Sequence, residues 1–390
     1  MKNFIQKLFN SLSLSKKDYS KNRFCIYDFA NPIWTKKGYG QFSEEAYKKN
    51  VIANRCVSLI ARSAASVDWL AFDANNNIIK NHPILKLLHQ PNPANGGAEF
   101  FETLYSHKII SGNAYVFANK NSGGDIVELY LFRPDRVEII PGIGASPKGY
   151  IYTVGDKKTL YRVDSVTSKS DVLHLRNFNP LDDWYGLSQI EAASYSIDLH
   201  NQSSAWNQAL LQNGARPSGA LIIKGVDGAS SYLNKEQFGR LQEQLQEKFT
   251  GSANAGRPLL LEGGLEWKDM SYSPKDMDFL EAKNSAARDI ALAFGVPPQL
   301  LGIKGDNTYN NMQEARLAFW EETVIPLIDK TVDALNNWLA TSFGANFKIG
   351  YDAQNISALS SKQEMLWNRV QNADFMTNNE KRAAVGLPPV

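Results

Sequence analysis

The N-terminal half of the chain mixes helical and strand-like patterns of apolar residues. From about 44 to 66 these residues recur every three or four positions, which predicts a helix capped by Ser43. A second helix over 98–111 ends at Gly112, because glycine readily adopts the left-handed conformation that closes helices. The stretches WLAFDANNNIIK and AYVFANKNSGGDIVELYLF each place two apolar runs around turn residues, so they predict hairpins. With the later runs VEIIPG, GYIYTV and DVLHLRN, they indicate a mixed α+β module that ends near residue 180.

From Gly186 onward the pattern changes to long helices separated by one compact insert. The first long helix covers 188–214 and starts with Ser188 and Glu191, which are spaced as a capping box. The insert then contains the strand GALIIKG, a helix capped by Asn234, and a strand pair around PLLLEGG and LEWKDM. This order predicts that the insert is a small α/β unit between two long helices.

Two further long helices follow the insert. One covers 274–295, and after the glycine- and proline-rich segment 296–308 the other runs from Thr308 to about residue 342. Pro326 lies inside this last helix, where it should produce a kink because proline has no N–H to donate. A strand, FKIGY, and two short helices complete the chain.

Composition and charge exclude several classes of protein. A chain of 390 residues with 43% hydrophobic content can bury a substantial core, so it is not disordered. It has 42 basic and 40 acidic residues, and a net charge of +2 gives no global field for coating DNA. Its two cysteines, Cys25 and Cys56, cannot supply a disulfide framework or a four-ligand zinc site, which suggests a reducing compartment.

The first fifty residues differ from the remainder of the chain. They carry ten basic and four acidic residues, a net charge of +6, so the rest is slightly acidic. This arm can place five apolar residues on one helical face: Phe4, Ile5, Leu8, Phe9 and Leu12. The favoured interpretation is an arm that docks on its own protein or on a neighbour. A membrane-associated scaffold and a DNA-binding arm stay open as alternatives, but no apolar run reaches the roughly 18 residues of a membrane span, and no stable membrane association is expected.

The sequence offers little catalytic chemistry. The loop from Gly251 to Arg257 lacks the Lys and Ser/Thr that bind phosphates and magnesium in nucleotide-binding loops. The five histidines show no metal-ligand spacing, and we predict neither a cofactor nor a metal site. Adjacent carboxylates at Asp182 and Asp183 keep one enzyme hypothesis open, a metal-dependent nucleic-acid-processing enzyme. The favoured prediction is a protein that is not an enzyme.

Several stretches resemble the portal proteins of tailed double-stranded-DNA bacteriophages, in particular the short-chain type of long-tailed phages and prophages. The matching stretches are YGLSQIEAA, NGARPSGALI, PLLLEGGLEW, DFLEAKNSAARDIALAFGVPPQLLG and NNEKRAAVGLPP, and they fall within residues 45 to 390. The resemblance implies a ring, typically of twelve subunits, at one capsid vertex, through which DNA is packaged and later ejected. It also implies location in the virion, after assembly in the host cytoplasm.

The resemblance further implies a portal-type α+β fold and a division of the chain into parts. These are a basic arm (1–44), the wing (45–185), stem helix 1 (186–214), the clip (215–273), stem helix 2 (274–295), the tunnel loop (296–308), the spine helix of the wing (309–342) and a short crown (343–390). The implied partners are other copies of the chain, DNA in transit, the large terminase ATPase, the major capsid protein and the head-to-tail adaptor.

Candidate functional residues follow from this division. The segment that would touch DNA contains Gln299, Lys304, Asp306, Asn307, Asn310 and Asn311, and a single cation there would not hold the duplex tightly. Gly302 and Gly305 would give this segment its backbone freedom. Pro326, in the spine helix that follows, is the predicted position of the helix kink. The clip has seven basic and seven acidic residues, which suits salt-sensitive protein contacts. Its predicted partner-binding residues are Arg216, Lys224, Arg240, Lys248 and Arg257.

Overall fold

A computed structural model describes most of the chain beyond the basic arm. The described residues are 38–75, 77–142, 146–212, 219–223, 234–249, 265–269, 279–303, 309–343 and 347–386. The predicted amphipathic arm and the strand run PLLLEGG lie outside these residues, as do the predicted starts of the helices at 274 and 308. None of the described helices is both long and apolar enough to cross a membrane.

The first predicted helix is divided into two parts. A short helical turn at Tyr39–Gln41 continues as a π-helical segment, Phe42–Lys48, and helix α1 then covers Val51–Ala65. The prediction of one helix capped by Ser43 is therefore wrong, since Ser43 lies inside the π-helical segment. The cap of α1 is Asn50, whose side-chain oxygen accepts from the N–H groups of Ile52 and Ala53 at 3.1 and 3.0 Å.

Two antiparallel three-stranded sheets form the next part of the molecule. Helix α3 (Gly97–Ser111) leads into the first sheet, whose hairpin was predicted, and the strand order is β3-β2-β7. The second sheet has the order β4-β5-β6. Aromatic rings join the two sheets, with the Phe132 and Tyr152 rings stacked at 4.0 Å between centroids. The strands are β2 (Asn113–Lys120), β3 (Ile126–Phe132), β4 (Val137–Ile140), β5 (Gly149–Val154), β6 (Lys157–Arg162) and β7 (Val172–Arg176).

The stretch WLAFDANNNIIK turns back on itself as predicted, but only its first half forms a strand. This strand is β1 (Trp69–Asp73), and the second half pairs with it through an antiparallel bridge between Phe72 and Ile78 and a hydrogen bond from the N–H of Ile79 to the carbonyl of Ala71 at 2.7 Å. Strand β1 also pairs with β10 (Phe347–Tyr351), near the other end of the chain, which was not predicted. Helix α2 (Pro83–His89) follows β1. The pairing of β1 with β10 ties the C-terminal segment directly to the N-terminal module.

The long helices appear near their predicted positions, with interruptions. Ser188 caps the first as predicted, accepting from the N–H of Ile190 at 3.0 Å, but Ala193 divides this helix into two. The last long helix changes to π-helical geometry at Phe319–Val324, immediately before Pro326. A wider helical turn at this point accommodates the missing N–H of the proline. The segments are α4 (Gln189–Ala192), α5 (Ser194–Gln212), α7 (Phe279–Phe294), α8 (Tyr309–Ala318) and α9 (Ile325–Phe343).

The insert and the C-terminal end follow the sequence prediction in their described parts. Strands β8 (Gly219–Ile223) and β9 (Leu265–Asp269) pair antiparallel, and α6 (Lys235–Phe249) lies between them in sequence. Asn234 caps α6 by accepting from the N–H of Gln237 at 2.8 Å. Helices α10 (Ser360–Gln371) and α11 (Asn378–Ala384) end the described chain, and Thr377 with Glu380 forms the predicted capping box.

A large apolar core joins most of the helices to the first sheet, and a separate cluster that includes Phe132, Val137, Ile139 and Tyr150 lies between the two sheets. The buried members of the large core come from α1, α3, β2, α7 and α9, and helices α7 and α5 pack side by side. The second π-helical segment, Phe319–Val324, contributes to this core, because Phe319 is buried.

Candidate functional site

The segment after α7 is held firmly where it leaves the helix. Gly295 adopts a left-handed conformation with φ of 66°, and its carbonyl oxygen accepts from Thr323 Oγ1 at 2.5 Å. A Cβ atom at Gly295 would lie 2.7 Å from the same hydroxyl oxygen. The N–H of Val296 donates to the carbonyl of Ala291 at 2.9 Å, and the Val296 side chain is buried. The direction in which the chain leaves α7 is thus set by contacts with α7 itself and with the π-helical segment Phe319–Val324.

A short 3₁₀ helix, Pro298–Leu301, then brings the chain back to α7. Gln299 lies in this turn and is half-buried, and Gly302 ends it in the left-handed conformation with φ of 71°. The side chain of Ile303 is buried against Ala287 and Ala291 of α7. The buried side chain of Ile303 therefore anchors the end of this described segment on α7.

The structure places only some of the predicted DNA-contacting residues. Gln299 lies in the 3₁₀ helix in the first part of the predicted tunnel loop, and Asn311 lies half-buried in the first turn of α8. Asn310 belongs to the same turn, but its side chain lies outside the described residues, and so do four predicted loop residues: Lys304, Gly305, Asp306 and Asn307. Their contact with DNA stays a prediction.

Of the predicted clip residues, Arg240 is exposed on α6. The backbone of Lys248 is described near the end of the same helix, whereas Arg216, Lys224 and Arg257 lie outside the described residues. Phe238, on the same helix, is 60% exposed. Exposed aromatic and arginine side chains are both enriched in protein-binding surfaces.

Sequence analysis missed a polar junction where β2 and β7 meet the start of α4. We define it by Gly112, Asn113, His174, Asn177 and Gly186. The side-chain oxygen of Asn113 accepts from the N–H of Gly186 at 2.8 Å and pairs with His174 Nε2 at 2.9 Å. Because this oxygen is an acceptor, His174 carries its proton on Nε2. The backbone N–H of Asn177 donates to the carbonyl of Gly112 at 2.8 Å and completes the junction.

A buried lysine reinforces the polar junction. Lys108 Nζ donates to the side-chain oxygen of Asn177 at 2.6 Å, and the lysine is only 3% exposed. Burial lowers the pKa of Lys108 to about 8, with a further contribution from the positive charge of Lys330. In the sequence, only the glycines at 112 and 186 signalled that two backbones approach closely here.

His174 should make the fold sensitive to acid. Desolvation, with the positive charges of Arg176 and Lys108, lowers the pKa of His174 from 6.5 to about 3. Because the folded pKa lies below the unfolded value, its stabilising contribution is complete above pH 6.5 and is lost as the pH falls towards 3. Between pH 7 and pH 5 we expect this histidine alone to remove about 2 kcal/mol of unfolding free energy.

The measurement is urea unfolding of the wild type and of His174→Gln at several pH values. Glutamine keeps a donor towards Asn113 but does not titrate in this range. As the pH falls from 7 to 5, the unfolding free energy of the wild type should decrease more than that of His174→Gln. Parallel pH profiles would contradict the assignment.

Asp182 and Asp183 do not form the catalytic pair of the enzyme hypothesis. One carboxylate oxygen of Asp182 accepts from the N–H groups of Trp184 and Tyr185 at 2.7 and 3.0 Å, so it shapes a turn. Asp183 is exposed. Across the described ranges, the His, Cys, Asp and Glu side chains form no group of three or more that could hold a metal ion.

Comparison with known proteins places the chain in a class. The neck of an empty gene transfer agent (GTA) particle, computed with C6 symmetry, is 43% identical and superposes with a TM-score of 0.73, covering 93% of this chain and 96% of the other. The neck of the native GTA particle, computed with C12 symmetry, is 42% identical with a TM-score of 0.70, covering 92% and 96%. The portal protein of Escherichia phage T5 is 26% identical over 89% of this chain and 82% of its own length.

These relatives define a class of structural proteins of phage-like particles, not of enzymes. The family model described as phage portal protein matches residues 52–386. The chain belongs to the phage portal protein family, and the resemblance inferred from its sequence motifs is confirmed. The enzyme alternative based on Asp182 and Asp183 receives no support.

Proposed function

We propose that this portal protein forms a ring of twelve subunits at one vertex of a phage-like capsid and conducts double-stranded DNA into and out of it. The observation that carries the proposal is the similarity to the neck of the native GTA particle, computed with C12 symmetry, over nearly the whole of both chains. Native mass spectrometry and negative-stain imaging of the purified protein test it. A ring with a central channel is expected, and a protein that stays monomeric at high concentration and with capsid proteins would refute the proposal.

The helices suit the proposed stem. Helices α5 and α7 pack side by side, and they lead to and from the insert that contains β8, α6 and β9. Ser196 Oγ donates to a carboxylate oxygen of Asp289 at 3.5 Å across this pair. We assign the pair to the stem and the insert to the clip, with the wing at 45–185, the spine helix at 309–342 and a short crown at 343–390.

Charge also supports the conduit. Outside the first fifty residues the chain has 32 basic and 36 acidic residues, so it offers no net positive charge to the phosphates of a passing duplex. Each persistent phosphate contact would have to break at every step of movement, and weak attraction therefore favours sliding. The basic excess lies in the N-terminal arm.

The tunnel loop provides a direct functional test. Replacing Lys304 and Asn307 together with alanine should leave ring assembly intact, because the exit from α7 and the return at Ile303 are fixed by buried contacts. DNA packaging or retention should fall several-fold, measured as nuclease-protected DNA per particle. Lys157→Ala, which removes an exposed charge on β6, is the control and should package normally. Loss of rings in the double variant would show that the segment is a subunit interface instead.

The proposed partners are the large terminase ATPase, the major capsid protein and the head-to-tail adaptor. The balanced charges of the clip and the exposed Phe238 and Arg240 on α6 support exchangeable protein contacts there. The protein would thus be made in the host cytoplasm and end at the capsid vertex of the particle.

A further inference from the structure

The loop between β7 and α4 is held rigidly by its own hydrogen bonds. Asn179 Nδ2 donates to the carbonyl of Tyr185 at 2.9 Å, and its side-chain oxygen accepts from the N–H of Leu181 at 3.0 Å. Asp182 accepts from two further N–H groups of the loop. The Tyr185 hydroxyl accepts from the N–H of Ile139 at 2.9 Å and attaches the loop to β4. The loop therefore has a defined shape before it meets any partner.

This rigid loop exposes apolar side chains. Phe178 is 84% exposed and Leu181 is 95% exposed, and exposed Asp183 lies beside them in sequence. We call Phe178, Leu181 and Asp183 the knob. Large apolar side chains held in water by an ordered loop are unfavourable in a free monomer, but such preorganised groups lose little entropy when they bind. The knob has the character of a binding element.

A cleft elsewhere on the subunit has complementary chemistry. It has a volume of about 490 Å³ and lies between α1, the 3₁₀ helix after α7, and α8. One part of its wall is apolar and consists of the half-buried side chains of Leu59, Leu300, Met312 and Trp320. The rest is polar, with exposed Arg55 and Arg316 at the edge, and also includes Ser63, Gln313, Ser357, Ser360 and Ser361. Among the described residues that line it there is no carboxylate, and neither arginine has an ion-pair partner in that part of the chain. We call it the arginine cleft.

We propose that, in the assembled ring, the knob of one subunit inserts into the arginine cleft of the next. This inference rests on the proposed ring. Phe178 and Leu181 would pack against the apolar part of the cleft, formed by Leu59, Leu300, Met312 and Trp320, while Asp183 would pair with Arg316 or Arg55 at its edge. The two surfaces lie on different parts of the chain, so the contact is head-to-tail, and such contacts close into rings when the rotation between subunits allows it. The opposite charges give the contact its orientation.

Cysteine cross-linking tests the contact directly. Leu181→Cys and Met312→Cys are combined in a Cys25→Ser background, and buried Cys56 remains, since burial raises the pKa of its thiol to about 12 and keeps it unreactive. Mild oxidation should produce a ladder of covalent oligomers up to the full ring. The control pairs Val166→Cys, which is 90% exposed outside the knob, with Met312→Cys and should give no ladder.

Charge exchange provides the second test. Asp183→Arg and Arg316→Asp should each lower the fraction of protein in rings at least several-fold, and the double variant should restore it. Asp156→Arg, at an exposed turn after β5, should have no effect. The knob contact would be overturned, with the ring itself left intact, by two results together. Both single charge variants would form rings normally, and the Leu181→Cys, Met312→Cys protein would give no cross-linked ladder. If the unaltered protein forms no rings, the proposed function itself fails, and the knob contact fails with it.

Discussion

Replacing Gly112 with alanine should lower the free energy of unfolding by about 3 kcal/mol or more. Gly112 has φ of 77°, a left-handed conformation that costs an alanine about 1–2 kcal/mol. A Cβ atom there would also lie 2.4 Å from the carbonyl oxygen of Gly186 and 2.5 Å from the carbonyl carbon of Leu187. Both contacts are with backbone, which cannot rotate away. The segments around Gly112 and Gly186 must therefore separate, and the hydrogen bonds between Asn113 and Gly186 weaken as they do.

Gly124→Ala is the matched control for this prediction. Gly124 has φ of 87°, but a Cβ atom there would meet nothing within 4 Å. This variant therefore has the conformational cost without the clash, and we expect a loss of about 1–2 kcal/mol. Urea unfolding of the three proteins measures the difference. Equal losses at the two positions would mean that the close approach at the polar junction contributes nothing.

Asn50→Ala should destabilise the protein by about 3 kcal/mol. The side-chain oxygen of Asn50 caps α1, and such caps contribute about 1 kcal/mol. Its side-chain nitrogen donates to Asn201 Oδ1 at 3.0 Å and lies 3.2 Å from His200 Nδ1, both on α5. Burial and the charge of Lys283 lower the pKa of His200, so its ring is neutral and can accept this hydrogen bond. Alanine would leave both partners on α5 unsatisfied, at a cost of about 1–3 kcal/mol.

Asn50→Ser separates these two contributions. Serine is a good helix cap but cannot reach α5 with two donors, so about a third of the loss, the roughly 1 kcal/mol of the cap, should be recovered. Thermal and urea unfolding provide the measurement. Since Asn50 connects α1 to a proposed stem helix, Asn50→Ala should also reduce ring yield. If serine and alanine were equally destabilising, the cap would have no measurable role.

The variants at Gly112 and Asn50 both probe the attachment of the long helices to the sheet module. Gly112 lies beside Gly186, just before α4, and Asn50 reaches the middle of α5. In the proposed ring, stiff attachments of this kind would hold the long helices in a fixed position relative to the rest of the subunit. Buried, fully hydrogen-bonded amides provide stiffness because any displacement leaves polar groups unpaired.

Local sequence patterns were sufficient for the elements whose stabilising contacts lie within a few residues. The hairpin of β2 and β3, the helix end at Gly112 and the caps at Ser188, Asn234 and Thr377 all appear as predicted. The motifs around GVPPQLLG also identified the family, since the residues and spacing of a motif are read from the sequence and do not depend on how the chain packs. The tunnel-loop and clip contacts stay predictions.

Elements that depend on distant partners could not be predicted in the same way. Strand β1 was expected to pair with its own sequence neighbour alone, but it also pairs with β10, which only the folded chain brings alongside. The break before α1 has the same origin, because Asn50 gains hydrogen bonds to α5 that a continuous helix from Ser43 would lose.

The sequence by itself determined the order of elements, their caps and turns, and the family, because periodicity, capping and motif spacing are local properties of the chain. The tertiary structure alone decided the pairing of β1 with β10, the polar junction, and the exposure of the knob and the arginine cleft. Each of these depends on hydrogen bonds or surfaces shared by residues far apart in sequence. Their free energy exists only after the chain has folded, and no local pattern encodes it.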